Sequence, residues 1–133
     1  LKTNNLTNNV IFLPYETNLD EIYNNIDLVC FPSLFDAPGR PIFEAGVYGK
    51  PSIASISNPK EDTFLPGKVG LIVEPNDELA LANCIEYYVK NTEVYFAHAK
   101  QCIKFYRENF NIKKSAKSVL HLYENAIKLK SLR

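Results

Sequence analysis

The chain has 133 residues, with 15 Lys and Arg against 15 Asp and Glu, 46% hydrophobic and 12% aromatic side chains, 3 Cys, and neither Met nor Trp. That length suits one domain whose core takes up about two-thirds of the unfolded surface, and the composition excludes a disordered tail or a fibre. No run approaches the roughly 20 apolar residues of a membrane span, and no signal-peptide pattern opens the sequence.

In chain order, Val10-Ile11-Phe12-Leu13 reads as a strand stopped by Pro14, and Asn18 or Asp20 caps a short helix through about Asn25. Leu28-Val29-Cys30-Phe31 is a second strand, stopped by Pro32. An irregular loop then runs from Ser33 to Gly39 and delivers the chain into a helix near Arg40, with Pro41 in the first turn and Gly49 as the stop. Ser52-Ile53-Ala54 and Gly70-Leu71-Ile72-Val73 are the third and fourth strands. Strands apolar on both faces and separated by helices predict an α/β fold with a parallel sheet covered on both sides. From Asn76 onward the pattern is helical, with a cap at Asn76 or Asp77, a second start at Thr92 and a third near Ile112. Four strands are few for an open sheet, and no Met occurs anywhere, Leu1 included. Both features predict a piece of a longer protein, cut within a domain.

Charge is uneven along the chain. Residues 1–96 carry 6 basic and 13 acidic side chains, whereas residues 97–133 carry 9 basic and 2 acidic ones. The basic C-terminal helices read either as a peripheral contact with an anionic membrane or acidic partner, or as solvated lysine-rich faces. Without interleaved glycines and stacking aromatics, they do not predict nucleic-acid binding. Cys30, Cys84 and Cys102 each sit among apolar neighbours, as buried thiols do in a reducing compartment, so a cytoplasmic location is expected. His98 and His121 lie 23 residues apart with no Cys or carboxylate cluster at ligand spacing, so neither a metal nor a resident cofactor is expected.

Ligands of open parallel sheets bind beyond the carboxyl ends of the strands, near helix N-termini. The segment from Phe31 to Glu44 is the candidate, because it joins a strand to a helix through a loop with a single Gly. The helix end suits an anion such as a diphosphate. Asp36 in the loop and Glu44 in the first helical turn are placed to face one crevice, where carboxylates accept hydrogen bonds from sugar hydroxyls. Gly39 lets backbone approach a ligand closely. The same residues read equally well as ordinary capping.

Asp27-Leu28-Val29-Cys30-Phe31-Pro32-Ser33, then Asp36-x7-Glu44 with Gly39 inside, then Ala45, Gly49-Lys50-Pro51 and Ser52-Ile53-Ala54 follow one another in register. Asp62, Gly67, Gly70-Leu71-Ile72-Val73 and Asn76-Asp77 continue the spacing, and Phe110 to Tyr123 closes it. This arrangement resembles the donor-nucleotide domain of retaining glycosyltransferases of the GT-B architecture, family 4, over nearly the whole chain. The resemblance implies a partial Rossmann-like sheet of about four strands, with residues 1–75 as its α/β portion and 76–133 as terminal helices. The first strands of that domain and the acceptor domain would lie upstream.

It further implies a catalytic pair, with Glu44 holding the ribose of a nucleotide and Asp36 contacting the transferred sugar. Gly39 and Arg40 would lie against the donor through their backbone amides, and Tyr15 beside the base. As a residue by itself, Tyr15 reads equally as a surface aromatic. The implied activity is hexosyl transfer from a nucleotide sugar to a glycan, lipid or other acceptor, with a uridine diphosphate sugar first and guanosine diphosphate mannose second. A noncatalytic sugar-nucleotide binding module, or another GT-B-like enzyme such as an epimerase, is the alternative. This chain departs from the family pattern at Asp36 (usually Glu), Pro38 (usually Phe) and Asn58-Pro59 (usually Gly-Gly). The family's basic pair for the diphosphate has no counterpart; Arg40, Lys60 and Lys68 do not stand at those positions.

Overall fold

The computed structural model describes residues 6–34 and 39–131. Three short strands, β1 (Val29–Phe31), β2 (Ser52–Ala54) and β3 (Gly70–Ile72), form a parallel sheet in the order β1-β2-β3. The register pairs Cys30 with Ile53 and Ile53 with Leu71. The described residues also form five helices: α1 (Leu19–Asn24), α2 (Arg40–Val47), α3 (Glu78–Lys90), α4 (Thr92–Asn109) and α5 (Ile112–Ser131).

Side chains that alternate along the strands fill two cores. On one face Ala54 packs with Ile42 of α2, Cys102 and Tyr106 of α4, and Phe64 and Val69, with Phe31 and Ile72 alongside. On the other face Ile53 packs with Val73 and Tyr88 of α3, with Leu71 and Val94 alongside. The first turns of α4 thus serve one core and its later turns the other. A parallel strand covered on both faces needs apolar residues at every position, which is why the strands lack polar alternation.

The sequence signals at helix ends act as expected. The Asn18 side chain accepts from the Glu21 N–H and caps α1. The Asp77 carboxylate accepts from the Ala80 N–H at 2.8 Å and caps α3. After α2, Gly49 adopts φ +73°, its N–H bonds to the Gly46 carbonyl at 3.0 Å, and the Lys50 N–H bonds to the Ala45 carbonyl at 2.9 Å. This paired closure needs a left-handed residue, and glycine adopts that conformation without a Cβ penalty.

Two expectations are corrected. Residues 10–13 form no strand; the run is exposed, with Ile11 at 84% of its full accessibility. A strand without polar alternation needs a ladder partner beside it and cover on both faces, and among the described residues β1 has no strand on its outer side. For the same reason Cys30, expected to be buried, is exposed on that edge strand, whereas Cys84 is half-buried and Cys102 fully buried.

α5 is exposed at every position from Ile112 to Lys130, its apolar residues Val119, Tyr123 and Ile127 included. No helix among the described residues is long and apolar enough to cross a membrane.

Candidate functional site

Glu44 is the fifth residue of α2, one residue beyond the first turn in which the sequence placed it. Its carboxylate is held from two sides. The Tyr23 hydroxyl donates to Oε2 at 2.9 Å, and the Arg40 guanidinium donates to Oε1 at 2.9 Å. The Arg40 side chain is 86% exposed and that of Glu44 only 26%. Together with Tyr15, Glu16, Thr17, Leu19 and Pro41, these two residues line a cavity of about 420 Å³ beside the start of α2.

Tyr23 is the buried residue of α1. Its ring stacks on Tyr48 with centroids 5.3 Å apart, and Tyr48, just past the end of α2, donates its hydroxyl to Asp20 in the first turn of α1. Burial, then the bond to Glu44 and its charge, push the Tyr23 hydroxyl up to about 12. Tyr23 is therefore a protonated donor throughout the neutral range. The bond to Asp20 likewise raises Tyr48 above the ordinary phenol value.

Gly39 caps α2 with an ordinary extended backbone, φ −78° and ψ 152°, and offers no side-chain acceptor to the helix N–H groups. Its missing side chain has a local reason: a Cβ there would fall 2.1 Å from Cζ of Phe31. Pro41 has no N–H, and the Ile42 N–H is taken by the Gly39 carbonyl at 3.1 Å. A second, smaller cavity of about 180 Å³ lies beyond the carboxyl ends of all three strands, lined by Ser33, Ser55, Glu74 and Asp77 among others.

The model of the family Glycosyl transferases group 1 matches residues 1–109. The chain belongs to this family. Among solved structures it is similar to Anabaena Alr3699/HepE in complex with UDP, at 23% identity and TM-score 0.87, with 93% of this chain covering 34% of that one. It is also similar to sucrose-phosphate synthase from Thermosynechococcus elongatus, at 26% identity and TM-score 0.86, with 96% of this chain covering 33% of that one. A glycosyltransferase from Rickettsia africae ESF-5 gives 22% identity and TM-score 0.86, with 96% of this chain covering 34% of that one. No curated protein sequence matches. The chain thus spans about a third of the length of these structures. The α/β fold expected of a GT-B donor domain is the one observed, with three strands among the described residues in place of about four.

For this group 1 glycosyltransferase chain, the structure brings four of the sequence-derived site residues to one place. Glu44, Arg40 and Tyr15 line the same cavity, and Gly39 caps the helix that carries the first two. Tyr15 is 93% exposed at the cavity's rim. Asp36 and Pro38 lie outside the described residues. Sequence reasoning missed Tyr23, Tyr48 and Asp20. The signal that could have found Tyr23 is its place on the inward face of a short capped helix, although its partner stands 21 residues away.

Proposed function

We propose that this chain is the donor-binding part of a nucleotide-sugar-dependent retaining glycosyltransferase that transfers a hexosyl unit to a glycan, lipid or other acceptor. The observation that carries the reading is the Glu44 carboxylate, anchored at the wall of a cavity beside a helix start that Gly39 leaves without a side-chain cap. Such a carboxylate accepts hydrogen bonds from a vicinal diol, as ribose presents, and the helix end favours the diphosphate that follows it. In this reading Tyr15 stands by the base and the amides of Gly39 and Arg40 by the donor. Asp36, one methylene shorter than the family's Glu, is assigned to the hydroxyls of the transferred sugar, with its reach altered accordingly. The acceptor attacks the anomeric carbon from the face the nucleotide leaves, and fixed dipoles stabilise the departing diphosphate.

UDP is the first choice of nucleotide, supported by the similarity to HepE, which was solved with UDP and with UDP-glucose. The basic terminal helices would make a peripheral contact with an anionic leaflet, seen as vesicle flotation that high salt abolishes.

Saturation-transfer NMR of the chain with UDP, GDP and ADP sugars tests the donor site. One nucleotide should give signal at millimolar affinity, about 4 kcal/mol, and Glu44→Ala should remove it. Signal that survives in Glu44→Ala would move the ribose site elsewhere. Sugar transfer is not expected from this chain by itself, since the reading assigns acceptor binding to another part of the protein.

A further inference from the structure

Resting on that reading of Glu44, we propose that Tyr23 is a positioning residue for the donor site: its hydroxyl anchors one oxygen of the Glu44 carboxylate and leaves the other to the ligand. Glutamate has three side-chain torsions, and a carboxylate at a cavity wall samples several rotamers unless something holds it.

The two donors that hold Glu44 are unequal. Arg40 sits one turn earlier on the same helix, and its side chain is almost wholly in solvent. Such an exposed pair contributes little and exchanges readily with water or a ligand hydroxyl. Tyr23 comes from a different element, is 5% exposed, and is clamped by its stack on Tyr48. Its phenol ring has only two torsions, so the hydroxyl is fixed wherever the ring is packed. Donors to the carboxylate therefore divide by oxygen: Oε2 is bound to the protein interior, and Oε1 is bound to a cation that an arriving diol can displace.

α1 has only six residues, too few to persist without tertiary support. It is tied to α2 by two tyrosine–carboxylate bonds that run in opposite directions. Tyr23 of α1 donates to Glu44 of α2, and Tyr48 after α2 donates to Asp20 of α1. The orientation of the ribose-holding group thus depends on a helix outside the strand–loop–helix segment that carries it.

The test compares the full chain with Tyr23→Phe, Glu44→Gln, the double variant and Tyr48→Phe, each confirmed as folded by its amide spectrum. Tyr23→Phe should weaken UDP binding by about five- to tenfold, the loss expected of one hydrogen bond to a charged group. In the Glu44→Gln background the same change should cost clearly less, because the amide oxygen accepts only the weaker, uncharged hydrogen bond. Tyr48→Phe keeps the ring stack, so it should lower melting temperature while sparing most of the affinity. UDP affinity unchanged by Tyr23→Phe overturns the proposal, as does an equal loss in both backgrounds.

Carbon-13 shifts read the bond without any nucleotide. The Glu44 carboxyl resonance should move in Tyr23→Phe, and the Tyr23 Cζ resonance in Glu44→Gln. If the wild-type chain binds no nucleotide but both resonances move, the donor-site reading fails and the anchoring stands. Immobile resonances refute the anchoring itself.

Discussion

Ile53 and Ile11 sit in short apolar runs of similar character, yet Ile53 is fully buried and Ile11 is almost fully exposed. The run around Ile11 is the more hydrophobic of the two by side-chain identity. What separates them is company. Ile53 lies on the middle strand, hydrogen-bonded to β1 and β3 and covered by helices on both faces. The run from Val10 to Leu13 has no strand beside it among the described residues. Hydrophobicity makes burial favourable in proportion to area, but a strand also needs its backbone groups paired, and that requirement selects which apolar run enters the core.

The sharpest way to break this contrast is to damage the ladder instead of the apolar surface. A Cβ added at Gly70 would sit 2.1 Å from the Ser52 backbone oxygen and 2.7 Å from Cζ of Phe64. Since the oxygen belongs to the adjacent strand, it cannot rotate away. Gly70→Ala should cost about 3 kcal/mol, measured as a fall in the urea midpoint. An unchanged midpoint would show that pairing of β2 with β3 contributes little to the core.

A smaller effect should follow acidification. His98 is buried, its Nδ1 lies 2.8 Å from the Tyr88 hydroxyl, and it also hydrogen-bonds to the Gly67 backbone. Burial lowers its pKa below the ordinary 6.5, so the unfolded chain takes up the proton first. The stability that neutral His98 contributes is present above that value and is lost as pH falls through it toward the folded pKa. Thermal melts between pH 7.5 and 5.5 should therefore decline more in the wild type than in His98→Gln. Equal slopes would mean that the acid sensitivity resides in other groups.

The smallest effect sharpens the comparison from the exposed side. Phe12→Ser and Ile127→Ser remove large apolar groups that are 80% and 68% exposed. Each should change unfolding free energy by less than about 0.5 kcal/mol. A larger loss in either would reveal packing of that run against the rest of the chain.

The same distinction explains what could be read from the sequence. Gly49 as the end of α2, Asp77 as the cap of α3, and the starts of α4 and α5 are local signals, each decided within a few residues. The place of Glu44 on α2, near Gly39 and Arg40, was legible because it stands a fixed distance along a strand–loop–helix segment. Tyr23 was not, since its meaning arises only when α1 packs on α2. The exposure of Cys30 and of residues 10–13 was equally invisible, because a periodic or apolar pattern reports a side chain's preference and says nothing of whether a neighbour is present to satisfy it.

Cys102 carries a last consequence. Its thiol donates to the Val69 carbonyl at 3.1 Å, and burial pushes its pKa up to about 12. In the closed fold it is neither a thiolate nor within reach of a reagent, whereas Cys30 stands exposed at the sheet's edge. The chain therefore contains its own stopwatch. Alkylation of Cys102, told apart from that of exposed Cys30 and half-buried Cys84, registers the departure of α4 from the sheet and so times the opening of the core.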